Sequence, residues 1–124
     1  IHTPHARSYN QSMPRKMRRA ALRSALSVKA AASGIVVVDD FAVSSARTSD
    51  MAGALAALVG DSSALILLSA KDKGYDQATR AGNNIPDAKI LLASYLNIRD
   101  LLSYEKVVLP LKVLEILSAN LGKE

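Results

Sequence analysis

The chain has 124 residues, is 49% hydrophobic and contains no cysteine, which allows one self-sufficient core and excludes disulfide bonds and thiolate metal sites. No uncharged apolar run reaches the ~18 residues of a membrane span, so no membrane partner is expected. The formal net charge is +5, but residues 1–33 carry seven basic residues and no acid, whereas the remainder has nine basic and eleven acidic residues. This polarity predicts one basic face that is presented to a polyanion.

The first 33 residues divide into an arm and a helix. Residues 1–13, IHTPHARSYNQSM, are polar and lack periodicity, which indicates an extended arm rather than a packed element. A helical pattern runs from Pro14 to Ala32, with Ser12 as a candidate cap before it and Gly34 as a natural stop after it.

The predicted helix has two sides on a 3.6-residue wheel. One side is a basic stripe of Arg15, Arg19 and Arg23, with Lys16 beside it. The other side is expected to face the core and consists of Met17, Ala21, Ala25 and Val28. The stripe is imperfect, because Arg18 leans over the apolar side and Leu26 approaches the basic edge.

Aliphatic runs and helical patterns alternate through the rest of the chain. We predict strands at 35–41, 64–69, 88–93 and 106–109, and helices at 50–60, 74–83, 98–105 and 111–122. The first strand, IVVVDDF, does not alternate and is therefore expected to be buried on both faces. The order predicts an α/β fold with a four-stranded parallel sheet and helices on both of its faces. We interpret residues 1–124 as one domain, in which residues 14–124 form the α/β body behind the arm.

Asp39 and Asp40 are the most enzyme-like feature, because ligand sites in open α/β sheets lie at the carboxyl ends of strands. They resemble the acidic pair of response-regulator receiver domains, which makes a receiver-like signalling domain an alternative function. A receiver also needs an acceptor Asp after a later central strand and a Lys after the last one. The second predicted strand instead ends at Ser69, and Lys112 follows a proline. We therefore expect the two acids to be structural.

Other catalytic and cofactor signatures are missing from the sequence. His2 and His5 lie in the arm without Cys, Asp or Glu nearby, so no metal site is expected. They are interpreted either as hydrogen-bond donors of an RNA-facing arm or as residues without a role in binding. The glycines occur singly, which excludes a dinucleotide fingerprint and a P-loop, and no cofactor is expected. The five aromatic residues are too scattered for a base-stacking platform, so nucleic-acid binding would use backbone contacts and shape.

Three segments in order resemble the L-four family of bacterial large-subunit ribosomal proteins. They are SYNQSMPRKMRRAALRSALS at residues 8–27, GIVVVDDF at residues 34–41 and LNIRDLLSYEKVVLPLKVLEIL at residues 96–117. The specific elements are Tyr9 with Met13–Ser27, and Leu96–Leu102. The resemblance covers the family's C-terminal two-thirds; the N-terminal segment and the long basic loop that precede it in the family are not in this sequence.

The resemblance implies a three-layer α/β/α fold and a non-catalytic, cytoplasmic role in the ribosome. It implies binding of large-subunit ribosomal RNA, support of assembly near the peptide exit tunnel, contacts with neighbouring large-subunit ribosomal proteins and, in some members, autogenous control through messenger leader RNA. The residues expected to bind RNA lie in the arm and first helix: His5, Arg7, Arg15, Lys16, Arg18, Arg19, Arg23 and Lys29. An α/β module that docks an acidic protein through its basic helix is a further alternative.

Overall fold

The computed structural model describes residues 1–41 and 47–122. Its helices are α1 (Arg15–Ala31), α2 (Thr48–Val59), α3 (Lys73–Gly82), α4 (Ile98–Ser103) and α5 (Leu111–Leu121). Its strands are β1 (Ile35–Val38), β2 (Ala64–Leu68), β3 (Ala88–Leu92) and β4 (Lys106–Pro110), and a 3₁₀ turn at Ala93–Tyr95 follows β3. Within these described residues, no helix is both long and apolar enough to cross a bilayer.

The four strands form one parallel sheet in the order β1-β4-β2-β3. Leu65 on β2 lies opposite Lys89 on β3 and opposite Val107 on β4, which fixes the register of the central strands. Each crossover is long enough to carry a helix, as parallel pairing requires. The predicted parallel sheet is confirmed, although β1, β2 and β3 end one to three residues earlier than expected.

Alternate residues of the central strands face two separate apolar layers. Ala64, Ile66 and Leu68 of β2 pack on the α2 and α3 side, together with Met51 and Leu55 of α2, Ala78 and Ala81 of α3, and Val108 of β4. Leu65 and Leu67 pack on the opposite side, against Leu101 of α4, Val113 and Leu117 of α5, and Leu22, Ala25 and Leu26 of α1. The predicted three-layer α/β/α fold is therefore confirmed, with α1, α4 and α5 in one outer layer.

The expectation that β1 is buried on both faces is wrong. Every residue of β2 is buried, whereas no residue of β1 is, and Val37 is 45% exposed. The strand order explains the difference, because β1 lies at an edge of the sheet and β2 lies in its centre. Val36 and Val38 pack towards α2 and α3, but the layer formed by α1 and α5 does not cover Val37. Asp39 and Asp40 follow the strand and are not part of it.

The two ends of α1 differ in detail from the cap and the stop that the sequence predicted. The N-cap residue is Pro14 without a side-chain cap, so Ser12 does not cap the helix. At the other end Ser33 adopts the left-handed conformation, with φ of 56°, and the Gly34 amide donates to the Lys29 carbonyl at 2.7 Å. A Cβ at Gly34 would lie 3.0 Å from the Glu105 carbonyl oxygen. Glycine is therefore needed at position 34 for close packing, and not for a positive φ.

Candidate nucleic-acid interface

The arm and the first turn of α1 project from the body of the protein. Every residue from 1 to 18 is exposed, and residues 1–14 form no regular secondary structure. Burial begins at Arg19 and Ala21, which are half-buried. The projecting segment carries two histidines and four arginine or lysine side chains, and it contains no acid. It therefore concentrates positive charge where solvent and a large partner have access.

The core-facing side of α1 is rotated relative to the predicted side. The side chains that pack on the sheet layer are Leu22, Ala25 and Leu26. Met17 and Val28, which were expected to face the core, are 58% and 68% exposed. Only the part of the helix from Leu22 onwards rests on the body, so the apolar residue in the first turn has nothing to pack against. A helical wheel of α1 could not show which side faces the core, because alanine is compatible with both a buried and an exposed position.

Two of the eight candidate RNA-binding residues also attach α1 to the body. Arg23 Nη1 donates to the Leu121 carbonyl at the end of α5, at 2.8 Å. Lys29 Nζ donates to the carbonyls of Tyr104 and Glu105, the latter at 3.2 Å. Sequence reasoning missed these bonds because backbone carbonyls leave no signature in the sequence, and these acceptors lie 75 to 98 residues away. These three hydrogen bonds fix how α1 lies on its layer.

The side chains of the other candidates make no hydrogen bond or ion pair with the described part of the chain. They are His5, Arg7, Arg15, Lys16, Arg18 and Arg19. The Arg7 guanidinium lies over the Tyr9 ring, 4.4 Å from its centroid, and Tyr9 is 77% exposed. Exposed guanidinium and ammonium groups without an internal partner can donate to anionic oxygens at little cost in broken contacts. The structure thus places His5, Arg7, Arg15, Lys16 and Arg18 on the exposed segment of residues 1–18, whereas Arg19, Arg23 and Lys29 lie where α1 rests on the body.

Asp39 and Asp40 lie elsewhere, at the carboxyl edge of the sheet. Both are exposed, and Asp40 lines a cleft that also contains Asp72 and Lys112. Asp72 caps α3, since its carboxylate accepts the Tyr75 amide at 3.0 Å. No cluster of three His, Asp or Glu residues suited to a metal ion occurs in residues 1–41 and 47–122.

A cluster that sequence reasoning missed connects β3 to α4. Asn97 caps α4 by accepting the Asp100 amide at 2.8 Å, and its own amide group donates to Asp100 Oδ2 at 2.9 Å. Lys89 Nζ pairs with Asp100 Oδ1 at 2.9 Å. Burial raises the pKa of the Asp100 carboxyl, but the Lys89 and Asn97 hydrogen bonds and the nearby positive charges outweigh it, so the pKa lies below its usual 3.8.

This cluster explains the segment LNIRDLL structurally. Asn97 and Asp100 have the spacing of a reciprocal helix cap, and Leu101 is fully buried beneath them. The N-x-x-D spacing was the signal in the sequence that would have revealed the cap. The partner Lys89 could not be found in this way, because it lies on a neighbouring strand.

Proteins of one known family are similar in sequence to most of this chain. Residues 1–120 match the family described as the ribosomal protein L4/L1 family. The chain is 40% identical over 109 residues to the large ribosomal subunit protein uL4 of Pelotomaculum thermopropionicum, covering 88% of this chain and 51% of that relative. It is 31% identical over 140 residues to the protein of the same name from Thermotoga maritima, covering 100% of this chain and 60% of the relative. The chain thus spans about half the length of the curated relatives it matches, and it belongs to the ribosomal protein L4/L1 family.

Proposed function

We propose that this chain is a non-catalytic, structural protein of the large ribosomal subunit, which binds ribosomal RNA through its arm and α1. The observation that carries the proposal is the projecting segment of residues 1–18, which is exposed throughout, basic and free of acids. Relatives named as large ribosomal subunit proteins support the same conclusion independently. An exposed segment of this composition suits RNA better than it suits an apolar protein partner, because RNA offers closely spaced phosphates.

The basic residues of α1 have different proposed roles, which we infer from the hydrogen bonds that their side chains make. Arg15, Lys16 and Arg18 keep all their donors for phosphate oxygens. Arg23 uses one of five donors on the Leu121 carbonyl and keeps the others. Lys29 uses two of its three donors on the body. In this proposal Arg23 and Lys29 hold the helix at a fixed angle and add positive charge, while the projecting residues grip the RNA backbone.

The wider role rests on family membership alone. It consists of support for subunit assembly near the peptide exit tunnel, contacts with neighbouring large-subunit ribosomal proteins and a location in the cytoplasmic ribosome. Binding of a messenger leader in autogenous control would use the same basic surface, because phosphate contacts do not depend on base sequence.

The proposal is tested by binding to a transcript of bacterial large-subunit ribosomal RNA at several salt concentrations. Changing Arg15, Lys16 and Arg18 together to Gln removes three candidate phosphate contacts. We expect the slope of log K against log salt to flatten by roughly two to three units, since each contact contributes about 0.7 to 0.9. Changing Lys71, Lys73 and Arg80 to Gln removes the same charge from exposed residues near or on α3 and should leave the slope unchanged. Equal flattening by both triple variants, or no salt-dependent binding by the parent, would overturn the proposal.

A further inference from the structure

A polar cleft lies beside α4, on the same outer layer as α1. Its lining consists of Lys89, Asn97, Arg99, Asp100, Ser103 and Tyr104. The helix α4 packs against α1, and the Tyr104 carbonyl at the rim of the cleft accepts Lys29 Nζ from α1. The cleft therefore lies close to the C-terminal end of α1, although it is formed entirely by the mildly acidic body.

The cleft contains a lysine that a buried carboxylate holds in place. The Asp100 side chain is only 8% exposed, whereas the Lys89 side chain is 44% exposed. Both Asp100 oxygens are engaged, Oδ1 by Lys89 and Oδ2 by Asn97, each at 2.9 Å. The Lys89 ammonium group has three donors and gives one to Asp100, so two remain for another group. Asp100 thus orients Lys89, and each of its two oxygens already accepts one hydrogen bond inside the cluster.

A second cation stands beside this lysine. Arg99 is exposed, and its guanidinium makes no hydrogen bond or ion pair with any residue that the structure describes. Lys89 and Arg99 against one carboxylate leave the cleft with a net positive charge. The planar guanidinium supplies paired donors, and the ammonium group supplies a point charge next to it.

We propose that this cleft binds a phosphate group of the RNA through Lys89 and Arg99, and so extends the RNA-binding surface from α1 onto the body. The inference rests on the function proposed above, because the RNA that α1 grips would bring a neighbouring phosphate to the cleft. RNA is favoured over an acidic protein segment, because Lys89 and Arg99 together can bind the oxygens of one phosphate and because α4 packs against α1, the proposed RNA-binding helix. Lys89 and Arg99 are then RNA-binding residues, and Asp100 is a positioning residue for Lys89.

The test measures the salt dependence of binding to the same ribosomal RNA transcript. The double variant K89Q/R99Q is expected to flatten the slope of log K against log salt by about 1.4 to 1.8 units, and R99Q alone by about half of that. The matched control is K73Q/R80Q, which removes two exposed charges from α3 on the opposite side of the sheet and is expected to leave the slope unchanged. K89R keeps the charge and the donor to Asp100, and it should bind like the parent. Thermal melting of each variant checks folding, and R99Q does not touch the Asp100 ion pair.

The outcomes separate this inference from the function on which it rests. If R15Q/K16Q/R18Q flattens the slope while K89Q/R99Q does not, the cleft is not a phosphate site and the proposed function stands. If K73Q/R80Q flattens the slope as much as K89Q/R99Q, only net charge matters and the cleft proposal fails. If K89Q/R99Q binds RNA like the parent but loses an acidic ribosomal protein, the cleft is a protein site and the inference is wrong. A parent that shows no salt-dependent RNA binding would overturn both proposals.

Discussion

The arm with α1 differs from the α/β body in net charge and in the burial of its side chains. Residues 1–33 carry a charge of +7 and contribute only a few partly buried side chains to the core, whereas the rest of the chain carries −2 and supplies the fully buried ones. Burial dictates the composition of β2 and β4, because a polar side chain there would lose its hydration. No such constraint acts on residues 1–18, which are all exposed. Their composition therefore reports on what the segment binds and says little about how the chain folds.

Truncating an apolar side chain in each region should give the largest contrast. Leu101 of α4 is fully buried and Met17 of α1 is 58% exposed. We expect Leu101→Ala to lower the free energy of unfolding by about 2–5 kcal/mol, and Met17→Ala to change it by less than about 0.5 kcal/mol. Urea denaturation of both variants measures the difference. Similar losses would mean that the first turn of α1 packs on the body.

The partly buried ion pair between Lys89 and Asp100 tests whether this charged contact stabilises the body. Asp100→Asn replaces a carboxylate that accepts two side-chain hydrogen bonds, and it should cost about 1.5–3 kcal/mol at neutral pH. Because the pKa of Asp100 is lowered in the folded state, its contribution is complete above the unfolded-state pKa and is lost as pH falls through the folded-state pKa. The stability gap between parent and variant should therefore be constant near neutrality and close below about pH 4. A gap that is independent of pH would contradict the assignment.

Sequence patterns predicted the fold well wherever burial dictated composition. The aliphatic runs that became β2 and β4 were identified because central strands need such residues on both faces. The same reasoning failed for β1, since IVVV resembles a central strand and only the strand order places it at an edge. The orientation of α1 was also missed, because the contacts of Leu22 and Leu26 with α5 and the 3₁₀ turn depend on residues distant in sequence.

Alanine substitutions at two glycines test how closely the end of α1 packs on the body, and we expect a smaller change in stability from them. A side chain at Gly34 would meet the Glu105 carbonyl at 3.0 Å, whereas one at Gly53 inside α2 would meet nothing within 4 Å. We expect Gly34→Ala to destabilise the protein by about 1–3 kcal/mol, and Gly53→Ala to stabilise it by roughly 0.5–1 kcal/mol. Thermal melting of both variants checks the signs. A neutral Gly34→Ala would show that α1 can move away from residue 105 without loss.

The two acids after β1 should give the smallest effect. Changing Asp39 and Asp40 to Asn should leave the protein without phosphate labelling, as we expect for the parent, because Ser69 and Ala70 follow the central strand β2 where a receiver has its acceptor Asp. Incubation with radiolabelled acetyl phosphate and magnesium measures this directly. A label on the parent that the double variant abolishes would establish the receiver-like alternative instead.

The candidate RNA-binding residues show where sequence reasoning about a site reaches its limit. Seven basic residues and no acid within residues 1–33 are visible in the sequence alone, so the basic segment could be proposed at once. The attachment of Arg23 and Lys29 to backbone carbonyls could not, since every residue type has such a carbonyl. Lys89 and Arg99 were overlooked for a different reason. They are single cations close to the acids Asp87 and Asp100 in the sequence, and only the fold brings them into one cleft.

Protection from trypsin is the most direct test of the central claim that residues 1–18 contact RNA. Trypsin cleaves after Arg and Lys, and exposed segments without regular structure are cleaved first. With a saturating large-subunit ribosomal RNA transcript, mass spectrometry should find much slower cleavage after Arg7, Arg15 and Arg18. Cleavage after Lys71 and Lys73, which are also exposed in the free chain, should be unchanged. Unchanged cleavage in the arm, or protection confined to Lys71 and Lys73, would contradict the proposed interface.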